Sequence, residues 1–295
     1  MTCYHPQRAW DTGRTTETGK TKYLITGDWI TAVTHKNGDK ITEYTEIPCG
    51  RCIGCKEDKA KEWANRLINE SKKNDPGKTN YFVTLTYEHP GISLEKRDLQ
   101  NFIKRWRKKF GSGIKYFACG EYTPVNQHPH FHIVFINTPI IELEKFGSKY
   151  RSKELEKIWD KGFSTIGILN NGGIMYTCQY TIKKQKKILI KHHEILEDDG
   201  RTREFIVMSK HLGEINQEQD YYVNGKKVKT PQFMIKRLRD KDPTKAKERS
   251  ERLKLNAKLQ EAFREMRDTR PKKQYLRELE KQHIQKVENK RNGII

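Results

Sequence analysis

The residues best suited to chemistry lie in two short stretches of this 295-residue chain. The first is Gly120-Glu121-Tyr122 followed, after a proline-containing loop, by His128-Pro129-His130-Phe131-His132-Ile133-Val134-Phe135. In a strand, residues two apart share a face at roughly 6.6 Å, so His130 and His132 can converge on one ion while Phe131, Ile133 and Phe135 face a core. Glu121 closes the preceding strand. If the two strands pair antiparallel, its carboxylate arrives at the same end of the sheet, and the three groups form an open-sided site suited to Mg²⁺ or Mn²⁺. A bare His-x-His more often only packs or hydrogen-bonds; the apolar flanks and the neighbouring glutamate raise the metal reading. His128, set apart by Pro129, is expected to face solvent.

The second stretch is Met175-Tyr176-Thr177-Cys178-Gln179-Tyr180-Thr181-Ile182-Lys183-Lys184. On a helix, Tyr176, Tyr180 and Lys183 or Lys184 fall on one stripe. A phenol with a pKa near 10 is a poor nucleophile at neutral pH, so attack on phosphorus needs the proton removed and the phosphate charge offset. A divalent ion and a lysine can supply that offset, and two tyrosines allow two successive transfers. An aromatic stripe of this spacing is usually core. Here it continues into Lys183, Lys184, Lys186 and Lys187, which argues against a wholly buried face.

A third group is Cys49-x-x-Cys52-x-x-Cys55, with Cys3 as a fourth thiol. Four thiolates suit tetrahedral Zn²⁺, which would clip a hydrophobe-poor extension onto the core. Three cysteines in a glycine-rich turn also fit reduced thiols or an iron–sulfur site. Cys119 and Cys178 read as small buried hydrophobes.

These groups need elements to hold them. Residues 81–87 are β-branched and aromatic throughout, the pattern of a buried strand. Ser93 can cap a helix to about 110 whose inward face is Leu94, Leu99, Phe102, Ile103 and Trp106. Strands at 114–122 and 130–137 follow, then a helix at 153–161, a strand at 163–169, the Asn170-Asn171-Gly172-Gly173 break, and the tyrosine helix at 174–190. Before them lie a hairpin, 23–33 with 40–47 around Asn37-Gly38, and a helix at 57–72. After them a hairpin at Asn224-Gly225, a short helix near Pro231 and a charge-dense helical tail at 243–290, interrupted at Pro271, are expected. The order is that of an α+β domain with a central, mostly antiparallel sheet of about five strands flanked by helices. The linear division is 1–75, a cysteine-bearing extension and helix; 76–215, the core; and 216–295, a basic, mostly helical region.

Fifty-nine Lys and Arg face 38 Asp and Glu, a formal charge of +21, which favours a polyanionic partner and affinity that falls steeply with salt. No run of about 18 apolar residues occurs and the first ten residues lack a signal peptide's apolar core, so an intracellular, soluble protein with no membrane partner is expected.

His-hydrophobic-His on a strand, followed by Tyr-x-x-x-Tyr-x-x-Lys on a helix, resembles the HUH endonuclease superfamily, and specifically the two-tyrosine replication initiators of small single-stranded DNA phages. Residues 82–87 look like that family's first motif, His130-Phe131-His132 like its second with Glu121 as third metal ligand, and Tyr176, Tyr180 and Lys183 like its third. Pro48-Cys49-Gly50-Arg51-Cys52-Ile53-Gly54-Cys55, with Cys3-Tyr4-His5-Pro6 and Trp63, is similar to the N-terminal region of gokushovirus-type microvirus initiators. The resemblance spans residues 1–215. It implies an HUH-like fold and metal-dependent nicking of origin DNA by a tyrosine, giving a 5′-phosphotyrosine and a 3′-OH primer. Strand transfer and circularisation by the second tyrosine then follow. It also implies single-stranded and origin DNA as partners, with DNA contacts from Thr84, Thr86, Tyr87, Lys184 and Lys187. Host helicase and polymerase would assist, in the cytoplasm of an infected bacterium.

A competing reading is a zinc-clipped protein that holds single-stranded nucleic acid without chemistry, using basic residues and Tyr81, Tyr87, Trp106 and Tyr122. It explains the charge but not the convergence of Glu121, His130, His132 and the tyrosines. Another is a different HUH enzyme: a plasmid initiator, relaxase or transposase. The absence of Gly-x-x-x-x-Gly-Lys-Ser/Thr argues against an attached helicase, and the cysteine cluster favours the phage reading.

Overall fold

The computed structural model describes residues 3–17, 21–89, 93–123, 126–183, 205–214 and 221–291. The chain divides into two compact units, Met1–Asp58 with Glu248–Ile295, and Lys59–Lys247.

In the first unit β1 (Gln7–Thr15) pairs antiparallel with β2 (Thr21–Thr26), and the Asn37-Gly38 turn joins β3 (Val33–Thr34) to β4 (Lys40–Ile41). The strand β5 (Thr45–Ile47) pairs with the other edge of β1. The expected hairpin is therefore shorter than its apolar pattern, because residues 23–26 are taken by β1 instead. Trp10 is fully buried, its indole N–H donating to Thr26 Oγ1 at 2.7 Å. The helix α1 (Ile53–Ser71) then runs from this unit into the next.

The second unit contains β6 (Lys78–Tyr87), α2 (Lys96–Phe110), β7 (Lys115–Tyr122), β8 (Pro129–Pro139), β9 (Glu144–Phe146), β10 (Lys149–Arg151), α3 (Lys153–Trp159), β11 (Gly162–Ile168), α4 (Asn171–Lys183) and β12 (Phe205–Met208). Its described strands form a seven-stranded sheet in the order β12-β7-β8-β6-β11-β10-β9, antiparallel throughout. The expected strands form its centre. The added ones, β9, β10 and β12, have three or four residues each, too few to show a period.

Alternation decides which layer each residue joins. On one face Val83, Leu85, Phe131, Ile133 and Phe135 pack with Leu99, Phe102 and Trp106 of α2 and Trp159 of α3. On the other, Phe117, Val134 and Ile136 pack with Ala64 and Leu67 of α1 and Ile174 and Cys178 of α4. His130 and His132 share the parity of Val134 and so look toward the α4 layer. Cys119 and Cys178 are fully buried, as expected of small apolar groups. Ser93 does not cap α2, which starts two residues later with Glu95 at its N-cap and no side-chain bond there.

The hairpin β13 (Tyr221–Val223) and β14 (Lys226–Val228) turns at Asn224-Gly225, and α5 (Gln232–Lys241) follows Pro231. The tail forms α6 (Pro243–Arg267) and α7 (Lys272–Arg291), broken at Pro271. The α7 helix packs in the first unit, where His283 pairs with Tyr4 Oη at 2.8 Å and with Glu57 at 2.9 Å, and Lys272 with Glu46 at 2.8 Å. These long-range pairs are why the compact units differ from the linear cuts at 75 and 215.

Candidate metal and tyrosine site

The register of β8 builds the site. Its antiparallel pairing with β7 sets Glu121 opposite His130 and Cys119 opposite His132, while pairing with β6 sets Thr86 opposite His130 and Thr84 opposite His132. Side chains on that face therefore meet over two rungs of the ladder. Glu121 Oε1 lies 3.0 Å from His132 Nε2 and 3.5 Å from His130 Nε2, and one ligand atom from each residue falls within 4.8 Å of the others. All three residues are buried.

The far ring nitrogens are occupied. His130 Nδ1 is 3.1 Å from the His128 carbonyl, and His132 Nδ1 is 3.0 Å from Thr84 Oγ1. A ring that donates Nδ1–H leaves its lone pair on Nε2, aimed at Glu121. Glu121 Oε1 is a buried oxygen with no aligned hydrogen-bond donor. Burial alone would raise its carboxyl, but the two imidazoles bring it down to about 2. Burial also pushes His132 below the ordinary histidine value, against the pull of Glu121. The set thus presents a carboxylate and imidazole lone pairs to one point. Neighbouring ligands on an octahedral ion with bonds of about 2.1 Å sit about 3 Å apart, close to the 3.0 and 3.5 Å found here. The residues fit a small hard cation.

His128 does not face solvent as expected. Its Nε2 lies 2.7 Å from the Tyr87 carbonyl, and its own carbonyl receives His130, so it locks the start of β8. Sequence reasoning also missed the role of Thr84, whose hydroxyl faces His132, and of Lys149 on β10, which adds positive field at that ring. A polar residue two before an apolar strand position was the available signal for Thr84; Lys149 carried none.

Asn170 caps α4, its side chain accepting from Gly173 N at 2.8 Å, which explains the helix start at the Asn-Asn-Gly-Gly break. Ile174, Thr177 and Cys178 form the buried face. Tyr176 does not join them: it is 48% exposed, with its ring 5.6 Å from that of His132 and 6.3 Å from that of Phe82, edge-on to both. Phe82 itself stacks on His132 at 5.3 Å. Tyr180 and Lys183 lie on α4 with side chains outside the described residues, as are Lys184 and Lys187 altogether. Thr86 is half-buried and its carbonyl accepts from Trp159. Tyr87 is a core residue: it is buried, its hydroxyl donates to Asp98 at 3.0 Å, and it has no surface for the DNA contact expected of it. Tyr81 and Trp106 are likewise interior, which removes three of the four aromatics on which a stacking platform would rest.

The first unit holds a second donor set. Pairing of β1 with β5 brings the segments before and after them together, so Cys3 meets Cys49, and the first turn of α1 adds Cys52 and Cys55. Gly50, at φ 73°, makes the turn between them. The Cys49–Cys55 and Cys3–Cys52 sulfurs are each 4.0 Å apart, against about 3.8 Å for the edge of a tetrahedron with 2.3 Å zinc–sulfur bonds. Backbone N–H groups of Tyr4, Cys49, Arg51 and Cys52 point at these sulfurs at 3.2–3.5 Å, stabilising thiolate charge. All four cysteines could hold one metal ion.

Both arrangements can be set beside known proteins. Residues 80–185 match the family of phage replication-associated protein ORF2. The match takes in Glu121, His130, His132 and the tyrosine helix. The chain is 38% identical over 185 residues to replication-associated protein ORF2 of Spiroplasma virus 4, covering 57% of this chain and 55% of that one. It is 24% identical over 261 residues to replication-associated protein VP4 of Bdellovibrio phage phiMH2K, covering 81% of each. With replication-associated protein ORF4 of Chlamydia phage 1 it shares 29% over 155 residues, 47% of this chain and 38% of that protein. The chain thus spans about half the length of the ORF2 relative. The resemblance to phage replication-associated proteins read from the motifs holds. No solved structure matches. No helix among the described residues is long and apolar enough to cross a membrane.

Proposed function

We propose that the chain initiates rolling-circle replication of a small single-stranded DNA phage by nicking origin DNA with a tyrosine. The placement of the Tyr176 ring beside a buried Glu121, His130 and His132 set carries this reading. In it, Glu121, His130 and His132 hold Mg²⁺ or Mn²⁺, which when bound neutralises charge on the scissile phosphate. Tyr176, once its phenolic proton is lost to solvent or base, forms a bond to phosphorus. The bond from phosphorus to the 3′ oxygen breaks, and that oxygen takes up a proton to become the 3′-OH primer. The 5′ phosphate stays on the tyrosine. Tyr180, one turn on, takes the second transfer that closes the circle, and Lys183 offsets phosphate charge between them. Thr84 serves by positioning His132, while Thr86, Lys184 and Lys187 supply DNA contacts. The open sheet face with two histidines and a glutamate supports an HUH-like fold. Cys3, Cys49, Cys52 and Cys55 hold structural Zn²⁺.

The test is adduct formation on a labelled single-stranded origin oligonucleotide in denaturing gels. The wild-type chain should form the adduct only with Mg²⁺ or Mn²⁺, and Tyr176→Phe with Tyr180→Phe should abolish it. An adduct that survives the double substitution overturns the assignment.

A further inference from the structure

The first unit contains a cavity of about 760 Å³ beside the cysteine cluster, lined by residues 4–8, 27–28, Tyr44, Cys49 and Arg51 together with the start of α7. Its carboxylates are already matched: Asp28 pairs with Lys273 at 2.6 Å, Glu46 with Lys272 at 2.8 Å, and Glu280 with His5 at 2.6 Å. Three guanidiniums on its walls, Arg8, Arg51 and Arg277, meet no carboxylate among the described residues. The cavity is therefore left with positive charge that the protein does not itself neutralise.

Flat apolar surfaces accompany this charge. Tyr44 is 41% exposed, with the Arg8 guanidinium 4.4 Å over its ring and Trp10 behind it at 5.1 Å. Trp29 is 76% exposed, and its indole covers Gly27 so closely that a Cβ there would fall 1.9 Å from the ring. A tryptophan that rests on a cavity-lining glycine and shows most of its surface is available for stacking. Unneutralised arginines with exposed rings are the combination that binds a single strand, phosphates on the cations and bases on the rings. An acidic peptide would use the arginines but leave the rings without a role.

We propose that this cavity is a second binding site for single-stranded DNA, separate in its residues from the metal and tyrosine group, with Arg51 and Arg277 on phosphates and Trp29 and Tyr44 under bases. The choice of DNA over other single strands rests on the nicking function proposed above. Two linked sites raise the local concentration of a strand that either one has captured.

The experiment measures binding of a labelled eight-nucleotide oligothymidylate to the full chain by fluorescence anisotropy at several salt concentrations, without divalent metal and in a Tyr176→Phe, Tyr180→Phe background. Removing two phosphate contacts to single strands should flatten the log–log salt slope by about 1.4, an affinity loss of about 25-fold at 0.1 M salt relative to 1 M. Arg51→Gln with Arg277→Gln should show this. Trp29→Ala should weaken binding about tenfold or more with the slope unchanged, since stacking on an aromatic ring contributes about 1–3 kcal/mol per base. Both variants lie at the surface, and an unchanged thermal midpoint confirms the fold; should the arginine pair unfold, Trp29→Phe, which keeps a ring, must retain binding that Trp29→Ala loses. Wild-type affinity and slope in the arginine pair would overturn the proposal, as would equal displacement by polyglutamate of matched charge. A separate arm keeps the two proposals distinguishable. Nicking lost in Glu121→Ala leaves this site standing if anisotropy still depends on Arg51 and Trp29, and nicking intact with no such dependence removes this site alone.

Discussion

Thr84→Val is the sharpest test of how the metal group is held. The substitution keeps shape and strand preference but removes the hydroxyl 3.0 Å from His132 Nδ1. A cation at Nε2 requires the proton on Nδ1, and Thr84 Oγ1 is the acceptor that fixes this tautomer and the ring's direction. Outer partners of metal-bound histidines contribute about 10–100-fold in affinity, which is about 1.4–2.7 kcal/mol. His130 provides an internal contrast, because its Nδ1 is held by the His128 backbone carbonyl, which no side-chain change removes. Thr86→Val, on the neighbouring rung opposite His130, is the matched control. The assay is titration of the metal-free chain with Mn²⁺, following free ion by electron paramagnetic resonance. Thr84→Val should raise the Kd about 10–100-fold, Thr86→Val by less than about threefold, and Glu121→Ala should abolish the site. If Thr84→Val binds Mn²⁺ within about twofold of wild type while Glu121→Ala does not bind, the tautomer argument is wrong.

Other outcomes follow from the same structure. Zinc content by mass spectrometry should be about one ion per chain and should fall in Cys52→Ser, because three sulfurs leave an open tetrahedron; unchanged metal content removes the cysteine site. In the metal-free chain Glu121, held near 2 against an ordinary 4.5, contributes stability that is full above pH 4.5 and lost as pH falls toward 2. That contribution is about 3 kcal/mol. The gap between wild type and Glu121→Gln in urea unfolding should therefore narrow between about pH 5 and 3, and a constant gap would contradict it. Gly162 has φ 145°, and a Cβ there would lie 2.4 Å from Glu88 N and Thr86 O, so Gly162→Ala should cost more than about 2 kcal/mol by displacing β11 from β6. A thermal midpoint unchanged within about 2 °C would show that the strand absorbs the methyl.

Local signals explain which elements were legible. The alternation of residues 81–87 and 130–136 and the Leu99, Phe102, Ile103, Trp106 spacing are patterns of one segment, and they appear as β6, β8 and the buried face of α2. The hairpin at Asn224-Gly225 and the break at Pro271 are equally local. The strands β9, β10 and β12 were not legible, because so short a strand is defined by its partner rather than by its own period. Ser93 illustrates the reverse error: its type suits a cap, but Glu95 sits where the backbone enters α2.

The candidate site divides in the same way. Residue types and spacing alone named Glu121, His130, His132 and Tyr176, since two-residue alternation puts both imidazoles on one face whatever the partner strand. Which atoms meet is a matter of register and layer. Only β8 lying between β7 and β6 puts the Glu121 oxygen at both Nε2 atoms and Thr84 behind His132. Only the docking of α4 on that face lays Tyr176 beside His132. A strand's parity is written in its own sequence, whereas its pairing is fixed by long-range packing that no single segment contains.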